Sequence, residues 1–180
     1  MNRLAVLMVI VLTLLIPQAF AGGGGEAAQL PLPEGFSSES GRGITLQWKV
    51  EGENLNVRVA AATTGWIAVG FDPSRGMKDA NIIIGYVEDG RAFVRDDFGT
   101  GRTAHSPDEE LGGSSNVRNA EGAEENGQTW LSFTIPLDSG DQYDRPLEPG
   151  NRYEVILAAG NRDDFATYHG NSRTSVNIEL

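Results

Sequence analysis

The chain contains no cysteine. Disulfides, thiolate catalysis, iron–sulfur clusters and a C-x-x-C-H haem attachment are therefore excluded, as is a lipid-modified cysteine at a processed N-terminus. Basic residues are scarce beside acidic ones: 14 Lys and Arg against 25 Asp and Glu give a net charge of −11. So acidic a surface repels nucleic acid and anionic lipid and argues against both as partners. It suits an exported protein kept soluble by charge, or one that meets a basic protein surface. Long apolar runs are absent except at the N-terminus. There Met1-Asn2-Arg3 precedes an apolar run from Leu4 to Ile16, and Ala19-Phe20-Ala21 supplies a small-x-small cleavage pattern. The run is shorter than the ~20 residues of a spanning helix. Residues 1–21 are thus expected to be a signal peptide cleaved after Ala21, giving a periplasmic or secreted product without membrane insertion. Loss of Arg3 moves the net charge from −11 to −12.

What remains reads as strands. Residues 22–40, with a glycine tract and prolines, are expected to be a flexible tether ending in a short extended arm. From there Ile44–Val50 and Leu55–Val59 alternate apolar and polar around a turn at Glu51-Gly52-Glu53-Asn54. Gly65–Phe71, Ala80–Val87 and Arg91–Asp96 follow, the last two joined by Glu88-Asp89-Gly90, a hairpin signal. Gln128–Leu137 alternates again, with Trp130 and Phe133 expected to be buried, and Arg152–Ala159 and Thr174–Leu180 complete the set. No segment repeats at helical spacing. The spacing of strands and turns predicts an all-β, antiparallel β-sandwich in one domain over residues 41–180. Gly99–Gly127, rich in Gly, Asn, Ser and acids, is expected to be a surface excursion with at most a short strand near Ser115–Asn119.

Once the leader is removed, one methionine (Met77) and two histidines (His105 and His169) remain. A Met/His pair is one of the few ligand sets that hold haem iron and tune it toward electron transfer. Met77 lies in a turn-forming run, Phe71 to Asn81, whose polar and tiny neighbours suit a ligand as well as an incidental loop residue. His169 lies in Phe165–Arg173 beside Gly170, where a flat group could approach the backbone; a plain surface-turn histidine fits equally. His105 sits in the acidic excursion, is expected to be solvated, and is a reserve ligand. Asp96-Asp97, Asp108-Glu109-Glu110 and Asp163-Asp164 could offer oxygens to calcium, but none has a calcium-loop spacing, and charge runs usually face solvent. Nothing in the spacing selects a carboxylate pair for glycoside hydrolysis, and no G-x-S-x-G, phosphate-binding glycine loop or H-E-x-x-H is found.

Gly65-Trp66-Ile67-Ala68-Val69-Gly70-Phe71, then Met77, then the strand through Gly85-Tyr86, resembles the core signature of DOMON domains. Ile156-Leu157-Ala158-Ala159-Gly160 and Tyr168-His169-Gly170 are similar to that family's closing strand and histidine turn. The resemblance covers about residues 42–180. It departs in the order of the acid and alanine after the methionine (Lys78-Asp79-Ala80) and in lacking the disulfides of some members.

The resemblance implies an immunoglobulin-like sandwich which, in the branch typified by the cytochrome domain of cellobiose dehydrogenase, binds a non-covalent haem b. Carried over to this sequence, Met77 and His169 become the axial ligands, with Trp66, Ile82, Ile84, Tyr86 and Tyr168 as side chains around the porphyrin. The implied function is one-electron transfer between separate redox proteins, one of them with a basic docking surface, and not catalysis by this domain alone. Two other readings stand beside it. One is a haem-free module binding a carbohydrate or small aromatic ligand on Trp48, Trp66 and Trp130; the other is a calcium-stabilised adhesive sandwich.

Overall fold

A computed structural model describes residues 29–180; the expected signal peptide, residues 1–21, and the first part of the 22–40 tether lie outside the described residues. In order, the elements are β1 (Ser37–Gly41), β2 (Ile44–Glu51), β3 (Asn54–Ala61), β4 (Ile67–Phe71), β5 (Asn81–Glu88) and β6 (Arg91–Gly101). They continue with β7 (Ala104–Pro107), α1 (Asp108–Leu111), β8 (Arg118–Glu125), β9 (Gln128–Pro136), β10 (Arg152–Ala159) and β11 (Arg173–Glu179). Two antiparallel sheets result: β1-β2-β3-β9-β8, and β11-β10-β4-β5-β6-β7. The hairpins follow from turn chemistry. Asp89-Gly90 and Asn126-Gly127 hold positive φ at both positions (52° and 73°, 55° and 76°). This is the type I′ geometry that matches the strands' own twist.

The sheets face each other through alternate residues. Ile44, Leu46 and Trp48 of β2, Leu55, Val57 and Val59 of β3, and Leu131, Phe133 and Ile135 of β9 meet Ile67, Val69 and Phe71 of β4, Ile83 and Val87 of β5, and Val155 and Leu157 of β10. All are buried. The Trp48 indole Nε1 donates to the Glu179 carbonyl at 3.0 Å, joining the sheets near their edge.

Three expectations change. Trp130 and Phe133 stand three residues apart, and in a strand an odd separation sends side chains to opposite faces. Phe133 fills the core, while Trp130 lies half-buried on the outer face of the first sheet. Residues 99–127 are not one excursion: they hold the end of β6, then β7, α1 and β8, which pairs with β9. β8 (RNAEGAEE) carries no large apolar side chain, as befits an edge strand blunted by charge. The first sheet also starts before residue 41, since β1 pairs with β2 from Ser37↔Trp48 onward.

Phe133→Ala should lower the unfolding free energy by about 3–5 kcal/mol, whereas Trp130→Ala should cost only about 1 kcal/mol. Urea unfolding midpoints of the two variants check this, and equal losses would contradict the assignment of faces.

Candidate functional site

A second apolar layer covers the outside of the second sheet. β4, β5 and β10 place Ile67, Val69 and Phe71, Ile83, and Val155 and Leu157 in the core; the alternate residues Ala68 and Gly70, Ile82 and Ile84, and Ile156 and Ala158 point the other way. Ala68, Ile82 and Ile84 form a distinct apolar cluster with Trp66 and Ala80, against which Ile156, Ala158, Met77, Tyr86 and Phe165 pack. The register aligns them in rows across the strands: Ile156–Gly70–Ile82 and Ala158–Ala68–Ile84. Small residues in the middle strand between isoleucines make a trough. At Gly70 there is no room for more, because a Cβ would come within 2.7 Å of Ile156 Cγ1. Over this floor lies a cavity of about 660 Å³, within the roughly 300–1,000 Å³ of cofactor and small-molecule pockets.

The two loops that overhang the trough come from its opposite ends. β4 and β10 run antiparallel with Phe71↔Val155 and Ile67↔Ala159, so residues 72–80 leave one end of β4 and residues 160–172 approach the other. The strand between is roughly 13 Å long. Met77 from the first loop and His169 from the second line the same cavity.

Backbone bonds fix the Met77 loop. The Met77 amide donates to the Arg102 carbonyl (3.2 Å) and the Asp79 amide to Gly99 (2.7 Å), while the Met77 carbonyl accepts from Ala80 (3.1 Å). These tie the loop to β6 and to the turn before β7. Gly76 has a φ of 64°, and a Cβ there would stand 2.6 Å from the Arg102 carbonyl oxygen. The turn therefore requires glycine.

The His169 loop is held through Trp66. Asp164 accepts from the Ala166 amide (2.8 Å) and the Thr167 amide (2.6 Å) and binds the Thr167 hydroxyl. The Thr167 hydroxyl and these amides hold the Asp164 carboxyl below its usual range. The Thr167 carbonyl in turn accepts the Trp66 indole N–H at 3.1 Å. The buried Trp66 ring meets His169 edge-on, with centroids 6.4 Å apart. His169 Nδ1 lies 2.9 Å from the Gly170 carbonyl. A carbonyl only accepts, so Nδ1 is the donor in this bond, and Nε2 is the ring nitrogen left for a metal.

Of the other residues singled out in the sequence, Trp66, Ile82, Ile84 and Tyr168 line the cavity, and Tyr168 is 70% exposed at its rim. Tyr86 stands one step outside, packed on Phe165 (5.0 Å) and stacked on Phe93 (5.2 Å). His105 also lines the cavity but is not solvated: Asp97, fully buried, accepts from its Nδ1 (2.5 Å) and takes two bonds from Arg95 (2.6 and 2.7 Å). Burial pushes Asp97 up, but the His105 and Arg95 contacts outweigh it, and the pKa lies below the ordinary 3.8. Sequence reasoning missed the floor (Ala68, Gly70, Ile156, Ala158) and the rim cations Arg102 and Arg173. The floor was signalled by strands that are apolar at both parities. Trp48, Trp66 and Trp130 occupy three different layers, so they form no stacking platform.

Chemically the residues suit a haem b. The Met77 thioether and the His169 imidazole line a common cavity, the second imidazole there, His105, being bonded to Asp97, and with no cysteine the group would be held without a covalent link.

Residues 40–160 match the DOMON domain family, and the chain belongs to it. DBH-like monooxygenase protein 1 of Homo sapiens is 31% identical over 84 residues, which is 47% of this chain and 13% of that protein. Its Mus musculus counterpart is 38% identical over 53 residues, 29% of this chain and 9% of that one. The matched region is thus a small part of these relatives. Among solved structures, the cytochrome b domain of pyranose dehydrogenase from Coprinopsis cinerea has a TM-score of 0.58 at 14% identity, covering 79% of this chain and 80% of that one. The cytochrome domain of Myriococcum thermophilum cellobiose dehydrogenase has a TM-score of 0.56 at 9% identity, covering 76% and 74%. At such identities the likeness establishes the sandwich fold.

The Asp97 contacts predict an acid limb in stability. A carboxyl whose folded pKa is depressed stabilises the fold above its unfolded value, here 3.8, and that contribution is lost as pH falls below it. Unfolding midpoints between pH 3 and 7 should show Asp97→Asn weaker than the parent at pH 6, with the gap closing below about pH 4. A gap that persists or widens in acid would contradict the assignment.

Proposed function

We propose that this DOMON domain is an exported b-type cytochrome domain that holds one haem b between Met77 and His169 and carries single electrons between separate redox proteins. The observation that carries the reading is the placement of the one methionine and one of the two histidines outside the leader. They sit on loops from opposite ends of an apolar trough, facing one cavity. The cytochrome domains with the same fold support it, and the leader-like residues 1–21 support export.

A haem b held there by Met77 and His169 would supply a reversible one-electron couple. The chain's own residues set its conditions. The His169 Nδ1–H bond to Gly170 orients the ring and makes Nε2 the better donor. The neutral Met77 sulfur would be a weak donor, which would favour a reduced metal and a higher potential than two histidines would give. Ala68, Ile82, Ile84 and Ile156 keep water from the floor and lower the local dielectric. Arg102 and Arg173 at the rim can meet a ligand's carboxylates. Tyr168, exposed beside His169 with centroids 4.4 Å apart, offers a contact point for a partner. The net charge, −12 once Arg3 leaves with the leader against −11 for the whole chain, steers a basic partner into a weak, fast encounter.

Protein expressed with an adequate haem supply should be red, with a sharp reduced spectrum. His169→Ala should lose the cofactor, and Met77→His should keep it at a lower potential in a redox titration. Protein that stays colourless after addition of haemin would overturn the proposal.

A further inference from the structure

Asp96 and Asp97 are neighbours in sequence, but the sheet sends them to opposite faces. The register pairs Ile82 with Asp97 and Ile83 with Asp96. Asp97 therefore lies on the cavity face, and Asp96 turns with Ile83 toward the sandwich interior. There, at one end of the core, Asp96 meets Asp108, the first residue of α1, and Asp144, from the loop joining β9 to β10. Each offers a carboxylate oxygen within 4.8 Å of the others. They are 2%, 0% and 9% exposed. Asp96 and Asp108 therefore do not face solvent as their sequence runs suggested: α1 and the loop after β9 close over them.

A fourth residue points to a ligand independently. Asn81, at the start of β5, is 6% exposed, and its Nδ2 donates to Asp144 Oδ1 at 2.6 Å. Its own Oδ1, on the same amide, has no partner. Nor do Asp96 Oδ1 or either oxygen of Asp108. Donors reach the remaining oxygens: the Asn116 amide to Asp96 Oδ2 (2.7 Å) and Asn116 Nδ2 to Asp144 Oδ2 (3.1 Å), with the Ser139 hydroxyl also bonded to the Asp144 carboxyl. No ion pair among the described residues involves the three acids.

Four buried oxygens without donors are costly. We propose that this cluster is a binding site for a hard divalent cation, calcium, with Asp96, Asp108, Asp144 and the Asn81 side-chain oxygen as ligands. The donor set is all oxygen, without the imidazole or thiolate that would select zinc or copper. Two oxygens each about 2.4 Å from one calcium ion lie at most about 4.8 Å apart, as these do. Without a cation, burial, with Asp144 and Asp108 close by, pushes Asp96 up to about 8 against the opposing Asn116 amide bond. Burial and the neighbouring Asp144 and Asp141 take Asp108 up to about 7. A bound ion reverses that balance and holds the carboxylates ionised.

The ion would tie β5, β6, α1 and the loop after β9 together. Asn81 follows Met77 by four residues, so the brace lies where the Met77 loop enters β5. The site does not depend on the haem reading, and its test is blind to colour. In the full-length protein, millimolar calcium should raise the thermal midpoint by about 5–10 °C over EGTA. Titration calorimetry should find one tight site, and terbium, read through nearby Tyr143, should be displaced by calcium. Asp108→Asn should abolish the calcium shift while being at least as stable as the parent in EGTA, since it removes a buried charge. Asp144→Asn should likewise lose the response, and Glu109→Gln/Glu110→Gln, exposed on the same helix, should keep it. A midpoint indifferent to calcium, or an Asp108→Asn protein that still responds, would overturn the proposal.

Discussion

β4, β5 and β10 carry apolar side chains on both faces, and a sheet in water cannot leave the second face bare. One face closes the sandwich core. The other, paved by Ala68, Gly70, Ile82, Ile84, Ile156 and Ala158, is covered only by two overhanging loops and leaves a cavity between them. That constraint explains much of the remaining architecture: the small residues of β4 that deepen the trough, the Arg102 staple on the Met77 loop, and the Trp66 anchor under the His169 loop. It also explains why the first sheet differs. Trp130, Ser132 and Thr134 of β9 alternate outward as an ordinary solvent face would.

The two sides of β6 serve different ends. On the cavity side Asp97 holds Arg95 by an ion pair and His105 by a hydrogen bond. On the interior side Asp96 joins Asp108, Asp144 and Asn81 in a polar plug at the end of the core. The plug reaches, through Asn81, the start of β5 just after the loop that carries Met77.

Most of the strands could be read from the sequence because their burial is one-sided or complete: Leu55–Val59 alternates, and Ile67–Phe71 does not stop being apolar. The Asp89-Gly90 hairpin was legible from turn chemistry. The Asn126-Gly127 hairpin carried the same signal, but β8 before it has only charges and small residues, so periodicity had nothing to register. Trp130 was misplaced because an aromatic in a strand says nothing about its parity until the register is known. The continuous apolar runs identified β4 and β5 as strands without revealing that their second face was a floor. Met77 and His169 were visible by scarcity and resemblance, but their approach from opposite ends depends on β4–β10 pairing across some ninety residues. The Asp96–Asp108–Asp144 cluster was hidden for a similar reason. Its members come from separate segments, and a run of acids looks the same whether one of them turns inward or none does.

The central claim is that folding sets one thioether and one imidazole against the same metal across this trough. X-ray absorption at the iron edge of the haem-loaded, oxidised protein reads that ligand set directly. The account predicts one sulfur neighbour alongside the nitrogens, and its loss in Met77→Ala. A purely nitrogen shell in the unaltered protein, with His105 joining His169, would contradict it.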